Sequence, residues 1–295
     1  MESLVNKKVV MVTGKGGIGK TLFAACLGQY AASLGKRTII IESTVRSQLI
    51  PLFGARENDD GPTQISQNLR VQNCTADTNL RDYVTKYLGQ QKLYDKVFNN
   101  KVVSSFLNNI PALYEAMLLG RIHYCSKLAP DSDDLVIFDG PASGHFYRLI
   151  LTPEALESTK IGGPIAFETK RIIDFLSRPE NCGITYVAVP EELVISECMD
   201  FIPKLVKDTP INVSHIVMNK TINHWNNTPD THGFEDYFEN RRKRNQLAMQ
   251  EFEKGMQSLK DDLNIEIPVL QTRDIGFNEE PLPTDQFKKV FSGLI

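Results

Sequence analysis

The chain has 295 residues, of which 41% are hydrophobic and 23% are charged, and its formal net charge is −3 at pH 7. This length is enough for one α/β domain, residues 1–295, with a large core, and the charge argues against a nucleic-acid partner. The five cysteines lack any metal-binding spacing and no secretory signal is recognisable, so we expect reduced thiols and a cytoplasmic location.

The first predicted elements are a buried strand over residues 8–13 and a helix that ends at Gly35. Between them, residues 14–21 match the phosphate-loop pattern G-x-x-x-x-G-K-[ST]. Glycines let backbone N–H groups point at phosphate oxygens, the lysine reaches the β- and γ-phosphates, and the threonine hydroxyl can bind Mg²⁺. The segment therefore predicts a site for ATP and Mg²⁺. Its predicted nucleotide-binding residues are Gly14, Lys15, Gly16, Gly17, Ile18, Gly19, Lys20, Thr21 and Leu22, with Lys15 and Lys20 as the catalytic pair.

The next part of the chain predicts a second strand and a largely helical region. A continuous apolar block over residues 36–42 is typical of a parallel strand buried on both faces. Residues 54–68 are rich in turn-forming residues and predict a loop. The apolar spacing over residues 77–128 predicts three helices that form a helical insertion beside the sheet.

A third predicted strand, residues 135–139, ends in Asp139. A carboxylate at the carboxyl end of a strand beside a phosphate loop can hold Mg²⁺ through a bound water. The residues that follow predict a flexible turn able to sense a γ-phosphate. The predicted switch residues are Thr44, Gly140, Pro141, Gly144 and His145.

Further strands and helices alternate in the second half of the chain. The pattern predicts strands over residues 183–189, 213–218 and 265–270, a polar loop over 221–233, and helices over 192–207, 234–262 and 284–293. Charged residues dominate the helix 234–262, and we expect its basic run to be a solvated face. The fold class is therefore α/β, with a doubly wound, mostly parallel sheet and ligands at the carboxyl ends of the strands.

Two of these motifs resemble a known family. The loop with its extra Lys15 resembles that of the MinD/ParA/nitrogenase-iron-protein class of dimeric ATPases. The segment Asp139-Gly-Pro-Ala-Ser-Gly-His-Phe-Tyr-Arg-Leu149 is similar to a segment of the ArsA-type anion-pump ATPases and of their relatives that target tail-anchored membrane proteins. Residues 109–121 resemble a helix start in bacterial members. The resemblance runs over about residues 7–275.

The resemblance implies a homodimer, or a heterodimer with a sibling subunit, that binds ATP and Mg²⁺ between facing subunits. Lys15 would reach the partner's nucleotide, and Thr21 and Asp139 would hold Mg²⁺. Asn219 would lie at the adenine, and Glu192 would contact the nucleotide across the interface. From the residues alone, Asn219 also fits a turn at a strand end, and Glu192 fits a helix N-terminal carboxylate.

The chain departs from the family pattern at three places. Family members carry an aspartate after the second strand that orients the attacking water, and this chain has Thr44 there; Glu42 is a weak substitute. The zinc-binding CxxC pair and a recognisable metalloid-binding cysteine pattern are missing. The segment between Leu149 and Gly183 leaves little room for a methionine-rich helical insert.

These observations lead to two function hypotheses. The first is a dimeric ATPase that couples ATP binding and hydrolysis to a conformational change acting on an unidentified protein client or transport partner. The second is a nucleotide-binding regulatory subunit with little hydrolysis of its own, motivated by Thr44. A MinD/ParA-like positioning ATPase is less favoured, because residues 284–295 do not support a stable membrane anchor.

Overall fold

The computed structural model describes residues 1–58, 61–75, 79, 112–128, 133–152, 155–156, 163–221 and 235–273. Strands and helices alternate along most of this chain. The strands are β1 Val9–Gly14, β2 Thr38–Glu42, β3 Thr63–Ser66, β4 Leu69–Asn73, β5 Leu135–Ala142, β6 Cys182–Ala188, β7 Val213–Thr221 and β8 Val269–Arg273. The helices are α1 Glu2–Val5, α2 Lys20–Ser33, α3 Leu49–Leu52, α4 Leu113–His123 with a π-helical turn Tyr124–Leu128, α5 Ser143–Ile150, α6 Gly163–Leu176, α7 Glu192–Asp208 and α8 Glu235–Leu263.

Within the described residues, the strands form one sheet in the order β3-β4-β2-β5-β1-β6-β7-β8. All neighbouring pairs are parallel except β3 with β4. The predicted α/β class with a doubly wound, mostly parallel sheet is therefore confirmed. The central strands are buried along their whole length, as expected when helices cover both faces.

The strand order brings the predicted site residues to one edge of the sheet. β1 lies between β5 and β6, and β5 lies between β1 and β2. In the register of these strands, Asp139 of β5 is the partner of Val12 in β1 and of Glu42 in β2. The carboxyl ends of the three strands therefore meet where the phosphate loop begins.

The predicted element boundaries were wrong at several places. Residues 54–68 contain β3, and the last strand lies at Val269–Arg273 and not at 265–270. The predicted flexible turn after Asp139 is regular structure, because Gly140 and Pro141 extend β5 and Gly144 and His145 lie in the first turn of α5. The first two predicted helices of 77–128, the loop after β7 and the helix 284–293 lie outside the described residues, apart from Asn79.

Burial agrees with the expectations for the thiols and for the charged helix. All five cysteines are free and buried. The long charged helix is present as α8, and Arg242, Lys243 and Arg244 are exposed on it. Among the residues that the structure describes, no helix has the length and hydrophobicity that crossing a bilayer requires.

Candidate functional site

The phosphate loop joins the central strand β1 to the first turn of α2. Gly14 ends the strand with a φ of 138°, and Gly19 forms the N-cap of the helix with a φ of 96°. A Cβ at Gly14 would clash with the carbonyl oxygen of Val187, and one at Gly19 would clash with the side-chain amide of Asn219. Only glycine fits both positions, and the N-terminus of a 14-residue helix faces the loop.

Lys20 is placed over the loop. Its Nζ donates a hydrogen bond of 2.7 Å to the carbonyl oxygen of Lys15. Burial lowers the pKa of Lys20, and the nearby carboxylates of Asp139 and Glu197 partly oppose this. An ammonium group that is partly withdrawn from water and set among backbone groups is well placed to contact a phosphate chain.

Asp139 is the buried carboxylate beside this loop. The side chain is 9% exposed, it accepts a hydrogen bond from Thr21, and its Oδ1 has no hydrogen-bond partner among the described residues. Burial raises its pKa to about 6, the charge of Glu42 also raises it, and Thr21 and Lys20 lower it. An unpartnered carboxylate oxygen next to a threonine hydroxyl is a donor set that fits Mg²⁺.

Glu42 is also buried, but its oxygens are bound within its own loop. Its carboxylate accepts hydrogen bonds from the Ser47 hydroxyl, from the Gln48 N–H at 2.9 Å and from the Leu49 N–H at 3.4 Å. Burial raises its pKa, and these hydrogen bonds oppose the increase. The side chain is fully buried, so the geometry does not favour Glu42 as a group that orients water.

Thr44 takes part in hydrogen bonds that stabilise the loop after β2. Its N–H donates to Asn73 Oδ1 at 3.1 Å, and its hydroxyl donates to the carbonyl oxygen of Arg46 at 2.8 Å. The next residue, Val45, is 95% exposed. At the position where the resemblance implies a carboxylate, the loop therefore has a neutral hydroxyl that is bound to Arg46, followed by an exposed apolar side chain.

Lys15 contacts a residue that the sequence interpretation missed. Its Nζ lies 3.6 Å from Glu197 Oε2, and the other oxygen of Glu197 accepts a hydrogen bond from Ser143. Glu197 lies on α7 at the border of the buried stripe that includes Val194 and Cys198. The sequence signal that could have identified Glu197 is its place at the border of the apolar stripe of its helix, where a carboxylate can reach a neighbouring element.

Asn219 and the switch residues differ in how close they lie to the loop. Asn219 Nδ2 donates to the carbonyl oxygen of Ile18 at 2.8 Å, so the structure brings Asn219 to the loop. Pro141 accepts a hydrogen bond of 3.0 Å from the Thr13 hydroxyl. His145 and Glu192 are exposed at the starts of α5 and α7, and within the described part of the chain no hydrogen bond or ion pair joins them to the loop.

The described residues contain no group of three or more His, Cys, Asp or Glu side chains that could hold a metal ion. A Mg²⁺ site built from one threonine, one aspartate, water and phosphate oxygens needs no such group. The parallel sheet, the glycine loop at a helix N-terminus and the buried aspartate define the phosphate-loop class of nucleotide-binding proteins.

Comparison with known proteins identifies the family within this class. Residues 7–161, more than half of the chain, match the family model described as anion-transporting ATPase. The chain therefore belongs to the ArsA-type ATPase family, which includes the Get-type relatives.

Individual relatives are distant. The chain is 24% identical over 63% of its length to the "Putative arsenical pump-driving ATPase 1" of Aquifex aeolicus and 29% identical over 51% to "ATPase ASNA1 homolog 1" of Paramecium tetraurelia. It is 22% identical over 72% to "ATPase BagA" of Mycobacterium tuberculosis. The matched regions span 47%, 45% and 64% of these three relatives, so the chain spans less than two thirds of each.

Proposed function

We propose that the protein is a dimeric ATPase that binds ATP with Mg²⁺ at this site and couples binding and hydrolysis to a conformational change. The observation that carries the proposal is the convergence of Lys20, Thr21 and Asp139 beside a glycine loop at a helix N-terminus. Family membership supports it. The partner on which the change acts is a protein client or a transport partner.

Each residue has a chemical role in this proposal. Lys20 and the loop N–H groups bind the phosphates and stabilise charge on the transferring phosphoryl group, with water as the acceptor. Mg²⁺ supplies further charge neutralisation when it is bound, and Thr21 and Asp139 are the residues that would hold it. Lys15 would reach the nucleotide of a second subunit. Its ion pair with Glu197 is long and partly exposed, so releasing Lys15 costs little.

Two contacts provide a route from the site to α4. The hydroxyl of Ser43, directly before Thr44, hydrogen bonds with the Tyr114 hydroxyl in the first turn of α4. Tyr114 also donates to the carbonyl oxygen of Cys74 at 3.1 Å. In addition, α5, which follows the strand of Asp139, packs against α4. A change in the loop after β2, or at the end of β5 where α5 begins, would therefore be passed to α4.

A second candidate is a nucleotide-binding regulatory subunit with little hydrolysis of its own. The observation that favours it is the loop after β2, in which Thr44 is neutral and Glu42 is bound by Ser47, Gln48 and Leu49. Steady-state phosphate release by the purified protein distinguishes the two candidates. Turnover in the range of ordinary ATPases, about 1 s⁻¹ or faster, supports the first, and turnover slower by orders of magnitude supports the second.

The test of nucleotide binding is the Lys20→Ala variant. We expect it to lower the affinity for MgATP by about 100-fold or more, because a charge-assisted contact to the phosphates is removed. Calorimetric titration measures this, and Lys243→Ala is the control, since Lys243 is exposed on α8 and pairs with Glu239. Equal affinity of Lys20→Ala and the wild type would overturn the proposal.

A further inference from the structure

Asn219 has a contact that a base-binding residue does not need. The side chain is 7% exposed, and its Nδ2 donates at 2.8 Å to the carbonyl oxygen of Ile18, inside the phosphate loop. Its amide also lies so close to Gly19 that no Cβ fits there. The carboxamide therefore packs directly against the Ile18–Gly19 peptide, which immediately precedes Lys20.

The orientation of this carboxamide is fixed from the opposite side. Oδ1 of Asn219 accepts hydrogen bonds from the Lys220 N–H at 2.9 Å and from the Thr272 hydroxyl. Lys220 has a φ of 55°, an uncommon conformation for a side chain of this type. Thr272 lies in the neighbouring strand β8 and is 2% exposed. With two donors at the oxygen, the amide nitrogen must face Ile18.

Holding the Ile18 carbonyl has a consequence for the phosphate site. The peptide unit is planar and trans, so the Ile18 C=O and the Gly19 N–H point in opposite directions. Asn219 binds the carbonyl on the side of β7 and β8, and the Gly19 N–H is thereby directed to the other side of the peptide. Backbone N–H groups of this loop are the groups that bind phosphate.

We propose that Asn219 and Thr272 are positioning residues for the triphosphate chain, because they fix the Ile18–Gly19 peptide. This role rests on the proposed nucleotide-binding function and is additional to any contact with the base. In this role β8, the outermost strand on this side of the sheet among the described residues, supplies Thr272. Nδ2 carries a second hydrogen, so the contact with Ile18 leaves a donor for a base.

The experiment compares a ligand that has a base with one that has none. We expect Thr272→Val to weaken binding of MgATP and of Mg-tripolyphosphate by the same factor, about threefold to tenfold, as expected when a buried hydrogen bond is lost. Asn219→Ala should weaken tripolyphosphate binding by a similar factor and MgATP binding by at least as much, because any contact with the base is lost as well. Thr272→Ser keeps the hydroxyl and should restore both affinities. Calorimetric titration of both ligands provides the measurement, and circular dichroism checks that each variant is folded.

A matched control separates positioning from a general loss of packing. Thr221 lies in β7 and is 4% exposed. Its hydroxyl donates a hydrogen bond of 2.9 Å to the carbonyl oxygen of Thr272, and this hydrogen bond does not involve Asn219. Thr221→Val removes a buried hydroxyl at the same edge of the sheet, and it should leave tripolyphosphate affinity within about twofold of wild type.

The alternative outcomes are distinct. If Asn219→Ala weakens ATP but not tripolyphosphate, Asn219 acts only on the base and the inference is wrong. If Thr221→Val and Thr272→Val weaken tripolyphosphate equally, the effect is general destabilisation and the inference is wrong. If the wild type binds neither ligand, the proposed function fails, and this inference fails with it.

Discussion

The loops that follow β1 and β2 begin on either side of the carboxyl end of β5 and are built differently. In the loop after β1, glycines with positive φ present backbone groups, and Lys20 and Asp139 lie beside them with donor and acceptor capacity for a ligand. In the loop after β2, the polar groups of Glu42 and Thr44 are bound by the loop itself. The first loop thus lies beside a polar atom, Asp139 Oδ1, that has no partner among the described residues, whereas the polar groups of Glu42 and Thr44 in the second loop form hydrogen bonds that stabilise that loop.

This difference separates nucleotide binding from hydrolysis. In the proposed function, phosphate binding uses mainly backbone groups and Lys20, and these groups belong to the loop after β1 and the first turn of α2. Hydrolysis also requires a group that orients water, and a positioned base typically contributes 10²- to 10⁴-fold to rate. Experiments that change one loop at a time therefore test whether the two steps are independent in this protein.

The largest effect is expected in the first loop, from Gly19→Ala. The φ of 96° is strained for alanine, and the new Cβ would clash with the Asn219 amide. We expect MgATP affinity to fall by about 100-fold and the free energy of unfolding to fall by roughly 2–4 kcal/mol. Calorimetry and urea unfolding measure the two quantities.

The control for this variant is Gly120→Ala in α4, where an added Cβ meets no atom of the described residues within 4 Å. It should leave the free energy of unfolding unchanged or raise it, because alanine favours a helix. The expectation for Gly19 would be contradicted if Gly19→Ala bound MgATP as tightly as the wild type.

A second prediction compares Asp139 with Glu42, which are register partners on adjacent strands. The pKa of Asp139 is raised to about 6, so its ionised form destabilises the folded protein. Well below pH 3.8, the ordinary pKa of an aspartate, the carboxyl is protonated in both the folded and the unfolded state. As the pH rises from about 3 to 6, the unfolded state releases this proton first, and stability falls. Asp139→Asn should therefore raise the free energy of unfolding at pH 7 by about 2 kcal/mol, an effect that is mostly lost near pH 4.

Glu42→Gln should have the opposite sign for a geometric reason, because both Glu42 oxygens accept hydrogen bonds from Ser47, Gln48 and Leu49 and a glutamine would turn an N–H group toward one of these donors. The cost of this buried mismatch should exceed the gain from removing the buried charge that raises the pKa of Glu42. We expect a loss of about 2 kcal/mol at pH 7. Urea unfolding in the absence of nucleotide between pH 4 and pH 7 measures both variants. A decrease in stability for Asp139→Asn at pH 7 would show that its carboxylate is stabilising and that the comparison is wrong.

The sequence predicted the features that depend on local patterns. The phosphate loop, its flanking strand and helix, and the strand that ends near Asp139 follow from spacing and residue type, and so does the parallel sheet. The short strand β3 was missed because Thr63–Ser66 is polar and lies among turn-forming residues at the edge of the sheet. Gly140 and Pro141 suggested a turn, yet β1 pairs with β5 as far as Ala142 and keeps them extended.

Contacts between distant segments could not be predicted in the same way. Glu197 meets Lys15, and Thr272 meets Asn219, across 182 and 53 residues of sequence, and neither pair belongs to a motif. The amide of Asn219 was expected at the adenine, and its contact with the loop backbone depends on how closely β7 approaches β1 through β6. Side-chain roles of this kind follow from the strand order, which a pattern of hydrophobic residues does not specify.

The smallest effect is expected in the second loop, from Thr44→Asp. The substitution places a carboxylate where the resemblance to the ArsA-type family implies one. The position is next to the exposed Val45, and Thr44 takes no part in the hydrogen bonds of the Glu42 carboxylate. We expect phosphate release to increase by about tenfold, less than the full effect of an optimised base. MgATP affinity should stay within about twofold, because Thr44 is not a phosphate ligand in this proposal.

The control is Thr44→Asn, because asparagine has nearly the same size as aspartate but carries no charge. It should not increase the rate of phosphate release. If Asn raises turnover as much as Asp, the effect comes from loosening the contacts of Thr44 with Arg46 and Asn73, and the missing carboxylate does not limit hydrolysis.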